Sequence, residues 1–214
     1  MLCSQAIKIA GCLSAPSKVG ASYSIPAKFC KTGQRLRKNP NSVCAKCYAH
    51  NRNRYAFPSV KKAMLYRYHA LTSPAWVDAM VTQIGDMPYF RWHDSGDLQG
   101  LRHLSNIVKV CKRTPNTKHW LPTKEWEGGE GDKKIIEQWQ AKHGEFPPNL
   151  VVRKCTYYVD QDPRADLEGT YCSVTTDKNR ATCPATRNKK GTCESWGCRQ
   201  CWDPTVRLVR YMEH

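Results

Sequence analysis

Residues 89–97, Tyr89-Phe90-Arg91-Trp92-His93-Asp94-Ser95-Gly96-Asp97, decide the fold. The first four form an aromatic-rich strand and the last five a polar turn, after which Leu98, Leu101, Leu104, Val108 and Cys111 mark one face of a helix. The same order returns downstream. Lys118 to Leu121 reads as a strand, Pro122-Thr123-Lys124-Glu125 as its turn, and Ile135, Ile136 and Trp139 as a helix that Gly144 closes. Leu150 to Arg153 gives the next strand and Tyr171 to Thr175 a further one.

Upstream, Val60, Met64, Leu65, Tyr68 and Leu71 recur at helical spacing. Ser73 as N-cap and Pro74 at the first position then open a helix bearing Trp76, Val77, Met80, Val81 and Ile84, which Gly85 ends. Residues 5 to 10 are expected to form a short first strand, followed by a loop rich in Gly, Ser and Pro. Strands alternating with helices indicate right-handed βαβ units. The expected fold over residues 1–176 is therefore α/β, a partial or open βα barrel with a mostly parallel sheet of four to six strands. Functional loops belong at the carboxyl ends of those strands. Across residues 177–214 the pattern gives way to Cys, Gly, Lys and Asn, the composition of a cysteine-rich metal-binding tail packed on the barrel.

Seven of the twelve cysteines fall into two groups. Cys30, Cys44 and Cys47 are spaced Cys-x13-Cys-x2-Cys on the loop after the first expected strand. The close pair suits one metal or one cluster, and three thiolates on a [4Fe-4S] cluster leave one iron open to a further ligand. Cys183, Cys193, Cys198 and Cys201 are spaced Cys-x9-Cys-x4-Cys-x2-Cys, which closes a site for a second [4Fe-4S] cluster or, alternatively, for structural zinc. Alternatively, members of both groups, or Cys12, Cys155 or Cys172, complete one shared cluster. Cys3 and Cys111 read as small apolar residues.

The turn residues His93, Asp94, Ser95, Gly96 and Asp97 exceed what helix capping needs. At a strand's carboxyl end they are candidate ligand-binding residues. Lys124 and Glu125 occupy the matching place after the next strand, as an ion pair or as further ligand contacts.

The net charge is +16, from 34 Lys and Arg against 18 Asp and Glu, and it is very uneven. Residues 1–77 carry 13 basic and no acidic residues. Lys28, Lys31, Arg35, Arg37, Lys38, Arg52, Arg54, Lys61, Lys62 and Arg67 are interleaved there with Tyr48, Tyr55, Tyr66 and Tyr68. That mixture suits phosphate neutralisation with base stacking, so DNA or RNA is the expected partner, ahead of a membrane or an acidic protein. No apolar stretch approaches a membrane span. A lipobox-like Ile9-Ala10-Gly11-Cys12 lacks a charged segment before it, and a chain of this size does not need a disulfide framework, so a cytoplasmic protein with reduced thiols is expected.

Several motifs carry a resemblance. Phe29-Cys30-Lys31-Thr32-Gly33-Gln34, Cys44-Ala45-Lys46-Cys47-Tyr48-Ala49, Phe90 to Leu98, His119 to Glu125 and Cys201-Trp202 together resemble an actinobacteriophage gene-product family, over almost the whole chain. The resemblance implies a phage-encoded protein working in a host cell's cytoplasm. More remotely, Cys-x2-Cys-Tyr-Ala, then strand-Ser-x-Asp-Leu, then strand-Thr-Lys, is similar to radical S-adenosylmethionine enzymes of the spore-photoproduct-lyase type. That likeness implies Cys30, Cys44 and Cys47 as cluster ligands and Asp94 to Asp97 as a turn contacting S-adenosylmethionine, although thirteen residues separate the first two cysteines where that family has about three.

The function expected from these features is a phage-type iron–sulfur protein that binds nucleic acid through its basic N-terminal face. A radical S-adenosylmethionine-like enzyme acting on a nucleotide or nucleic acid is the alternative, and a zinc-stapled structural protein the second alternative.

Overall fold

In the computed structural model, which describes residues 1–214 except 17, 51–52, 127–133, 164, 167 and 214, each strand lies beside its neighbour in sequence. The strands are β1 (Ser22–Tyr23), β2 (Tyr89–Trp92), β3 (Lys118–Thr123), β4 (Leu150–Cys155), β5 (Thr170–Thr175) and β6 (Leu208–Met212). All neighbouring pairs are parallel and the order is β1-β2-β3-β4-β5-β6, so the sheet is open and singly wound.

The helices follow the spacing of apolar residues. Helix α1 is Cys3–Ala10, α2 Lys31–Leu36, α3 Pro58–Ala70, α4 Trp76–Ile84, α5 Leu101–Arg113, α6 Ile135–His143 and α7 Pro184–Arg187. On α4 the buried residues are Trp76, Ala79, Met80, Gln83 and Ile84, and on α5 His103, Leu104, Ile107, Val108, Val110 and Cys111, each set one face of a 3.6-residue repeat. Lys112 and Arg113 close α5 where the helix dipole favours positive charge.

The sheet buries both faces. Phe90, Trp92, Leu121, Leu150 and Val152 meet α4, α5 and α6 in the main core. On the opposite face Trp120 and Val209 pack with Cys183, Ala185, Cys193, Cys201 and Trp202. The segment after β5 thus forms the second layer where helices are short, and Trp202 donates its indole N–H to the Phe90 carbonyl at 2.9 Å. Arg153, fully buried on β4, holds this layer by donating to the carbonyls of Cys201 (3.0 Å), Val206 (2.9 Å), Asp203 (2.9 Å) and Gln200.

Three expectations are corrected. Residues 5–10 belong to a helix, not a strand: Ala6 and Ala10 are buried one helical turn apart while Ile7 is 40% exposed. Gly11, at φ 78, ends that helix, so Cys12 follows a helix. The cysteine-rich segment does not stay off the sheet, because its end supplies β6, whose register runs from Tyr171↔Leu208 to Thr175↔Met212. Finally, Cys155 and Cys172 oppose each other across β4 and β5, with Cα atoms 4.6 Å apart, and are disulfide-bonded. They are committed to each other rather than to a shared cluster, and the thiols are not all reduced; the other ten cysteines are free.

Candidate functional site

Parallel strands bring all their carboxyl ends to one edge, and the long loop after β1 lies across it. Each neighbouring strand end ties that loop down. Tyr48 donates its hydroxyl to the Asp94 carbonyl (2.6 Å) after β2, the Thr32 amide donates to Glu125 Oε1 (3.3 Å) after β3, and the Val43 amide to the Tyr157 carbonyl (2.9 Å) after β4. Exposed Lys46 reaches Glu213 beyond β6 at 3.2 Å.

Cys30, Cys44 and Cys47 come together on this loop. Cys30 stands at the N-cap of α2, one turn before Gly33. A Cβ at residue 33 would lie 2.9 Å from Cys30 Cβ and 3.6 Å from Cys44 Sγ, so the missing side chain is the cradle into which both cysteines fold. Burial pushes the Cys30 thiol well up, and the charges of Asp97, Cys47 and Cys44 act in the same direction. Burial also raises Cys44, against the pull of Lys124. Bare, the Cys30 and Cys44 thiols are held toward the protonated form, and a bound metal would be needed to keep these two as thiolates. Among the described residues no three His, Cys, Asp or Glu have donor atoms gathered as a finished metal site. The donor chemistry, the Cys30 and Cys44 thiols at Gly33 with Cys47 close enough to raise both, fits an iron–sulfur cluster better than a hard ion.

The turn after β2 is buried, and its polar side chains serve the loops around it. Asp94 Oδ1 accepts from Ser22 (2.8 Å), Ser24 and Ser14 (3.3 Å), and Oδ2 from Tyr55 (2.6 Å). Burial alone would raise this carboxyl; the nearby Arg91 guanidinium and the hydroxyls of Ser24, Tyr55 and Ser22 bring it below the usual range. Ser95 donates to the Ile25 carbonyl at 2.9 Å. Gly96, at φ 92, lets the two turns touch, since a Cβ there would sit 2.9 Å from the Ile25 carbonyl oxygen.

Asp97 accepts from Thr123 Oγ1 (2.6 Å) and from the amides of Leu98 (2.7 Å) and Lys124 (2.9 Å). Burial pushes Asp97 and Glu125 up, and the Asp97 charge pushes Glu125 further. Lys124 turns its ammonium to the Thr156 carbonyl at 2.8 Å and not to Glu125. His93, at φ 53, packs 5.1 Å from the His103 ring. Of the predicted turn and rim residues, Asp97, Lys124 and Glu125 stand beside the cysteines, as their influence on Cys30 and Cys44 records. His93 is drawn to the helical face.

The four tail cysteines also converge. Cys183, Cys193 and Cys201 share the second core, and Cys193 is raised by burial and then by the charges of Cys183 and Cys198. Burial likewise pushes Cys201 up to about 12. The Cys193 amide donates to the Lys18 carbonyl (2.8 Å) and the Cys183 amide to that of Arg210 (3.0 Å), which anchors the segment at two distant points.

Lys28, Lys31, Arg37, Lys38, Lys61 and Lys62 are exposed, Arg35 and Arg54 half-buried, and Arg52 lies outside the described residues. Arg67 is buried, donating to the Ser24 (2.6 Å) and Cys12 (2.9 Å) carbonyls, so it is structural and not a phosphate contact. Tyr48 and Tyr55 are similarly turned inward to Asp94, which leaves Tyr66, 50% exposed, as the aromatic of that set most open to solvent.

Sequence reasoning missed Gly33, Arg153 and the serine cluster around Asp94. Ser22 and Ser24 lie two apart on an extended segment and so face one side, a signal that was present. No curated protein and no solved structure matches the chain. Among the described residues no helix is long and apolar enough to cross a membrane. A family model, Gene product 88, matches residues 4–204, and on that match the chain belongs to this phage gene-product family.

Proposed function

We propose that the protein is an iron–sulfur protein of the phage-infected host cytoplasm that binds DNA or RNA through its basic N-terminal face. The observation that carries this reading is the cradle at Gly33, where a loop with no acidic residue gathers Cys30 and Cys44 at the carboxyl edge of a parallel sheet. Cys30, Cys44 and Cys47 would hold one [4Fe-4S] cluster, and Cys183, Cys193, Cys198 and Cys201 a second cluster or a zinc ion. Bound at the first site, a cluster would supply one-electron chemistry and one iron position free of thiolate. The chain's part is to shield the site from water by the burial of Cys44 and the partial burial of Cys30 and to keep Asp97 and Lys124 fixed beside them. Lys28, Lys31, Arg37, Lys38, Lys61 and Lys62 would neutralise phosphates.

A second reading, a radical S-adenosylmethionine-like enzyme, is favoured by one feature: the cysteine loop follows β1 of an open sheet wound in sequential order. In that reading the free iron position would take S-adenosylmethionine. The carboxylates of Asp94 and Asp97 already accept internal hydrogen bonds, so they would shape its site rather than grip it.

Protein purified without oxygen should be brown and carry about four irons and four sulfides per cluster. Cys44→Ser should remove the iron of the N-terminal site and leave the tail's metal in place. Colourless protein with zinc alone would overturn the iron–sulfur reading. A reduced, reconstituted protein that cleaves S-adenosylmethionine would decide for the enzyme.

A further inference from the structure

The tail carries a surface feature that the N-terminal basic face does not account for. Trp196 is 46% exposed and yet firmly held. Its indole N–H donates to the Lys190 carbonyl at 3.0 Å. Gly191, at φ 74, lies against the ring edge, where a Cβ would come within 2.7 Å of Nε1. Reciprocal hydrogen bonds between Thr192 and Ser195, 2.8 and 3.0 Å, lock the turn that presents the ring.

The ring lines a pocket of about 430 Å³ together with Arg187, Cys198 and Arg199. Arg199 is placed by stacking on Tyr89, 4.6 Å from the ring centre, and Arg187 projects from the end of α7. Asp203 also lines the wall, but its carboxylate already accepts from the Thr205 amide (2.9 Å) and hydroxyl (2.7 Å). Residues 178–200 hold six Lys and Arg against Glu194 alone. A fixed indole open to solvent, with two guanidinium groups beside it, has the chemistry to stack a base and bind the adjoining phosphates. A base within a duplex is already stacked on both faces and cannot offer one.

We propose that this pocket binds an unpaired nucleobase of a single-stranded nucleic acid, with Trp196 stacked on the base and Arg187 and Arg199 on neighbouring phosphates. The inference deepens the nucleic-acid reading and rests on it, but it uses residues remote in sequence from the N-terminal basic run.

The test is fluorescence anisotropy with a short labelled oligothymidine strand, the same strand annealed to its complement, and an abasic strand of equal length, with metal content measured on every protein. Trp196→Ala should weaken binding of the base-bearing strand about ten-fold or more, and Trp196→Phe should restore most of it. Arg187→Gln, at an exposed position, should lower the salt slope by about 0.7 and carries the test if Trp196→Ala loses metal. The inference is overturned if the abasic strand or the duplex binds as tightly as the single strand. It is also overturned, by itself, if Trp196→Phe is as weak as Trp196→Ala, or if binding survives Trp196→Ala and is lost only on Arg37→Glu with Lys38→Glu. Failure of the unaltered protein to bind any strand at low salt overturns the nucleic-acid reading with it.

Discussion

At residue 33 a single hydrogen in place of a methyl group decides whether two thiols can share a location. Alanine is the better helix former by roughly 1 kcal/mol, and α2 would gain from it. The added carbon would nevertheless sit 2.9 Å from Cys30 Cβ, which is anchored at the start of the helix and has no flexible end to swing away. Gly33→Ala should therefore leave a folded protein with a somewhat lowered Tm, the clash outweighing the helix propensity, and markedly less iron at the N-terminal site. Full iron occupancy in that variant would show that Cys30 and Cys44 need not meet there. That Cys44 and Cys47 lie close together was legible, because only two residues separate them. The glycine's role was not, since it depends on Cys44 returning from eleven residues downstream. Asp94 and Asp97 were legible as unusual, but the hydroxyl and amide donors that neighbouring loops bring to their oxygens were not, because those donors are remote in sequence.

Among the elements, β4 has the most at stake in one side chain. Arg153 is buried and satisfied by carbonyls of the segment between β5 and β6. Replacing it by Met keeps the volume but leaves those carbonyls without donors under a covered face. The expected cost is about 3–5 kcal/mol, read as a lower urea midpoint, with earlier proteolysis in residues 177–207. Lys, a point charge without the planar fork, should recover only part of this.

The strand–turn–helix units from β2 to β4 could be read from strand composition and helical spacing because each spans enough residues to show a period. Strand β1 is two residues long and has no period to read. Residues 5–10 were mistaken for it because a short apolar run fits either periodicity until burial at Ala6 and Ala10 distinguishes them. Strand β6, Leu208-Val209-Arg210-Tyr211-Met212, does not alternate, buries Val209 alone, and follows some thirty residues rich in Cys, Gly and Lys, so nothing marked it as a strand.

Across the whole molecule, stability should depend on pH through histidines folded in the neutral state. Burial pushes His103 down to about 3 and His119 down to about 4. An unfolded histidine titrates near 6.5. Protons therefore bind the unfolded chain first, so the stability gained from burying these rings is complete above about pH 6.5 and is lost as pH falls toward 4. Urea unfolding measured over that window should show ΔG falling by up to about 1.4 kcal/mol per pH unit for each such histidine. His103 Nε2 finds no hydrogen-bond partner among the described residues, so His103→Leu should flatten the slope by one histidine's share. An unaltered slope would mean that His103 is already neutral, or equally protonated, in both states. The uneven charge of the chain was plain in its composition, whereas the inward turn of Arg67, Tyr48 and Tyr55 was not, because charge and ring counts carry no direction.

The sequential strand order also has a consequence for synthesis. Each strand docks against one that has already left the ribosome, so the sheet can grow in the direction of translation with no strand waiting for a distant partner. The last step is different. Until residues 183–202 have emerged and folded over it, a nascent chain keeps Trp120 and Arg153 uncovered, and β6 then closes the edge of β5. A ribosome stalled before residue 200 would thus hold a chain with the first three cysteines complete and the second layer still missing, which makes this interval the one in which the protein most needs a chaperone.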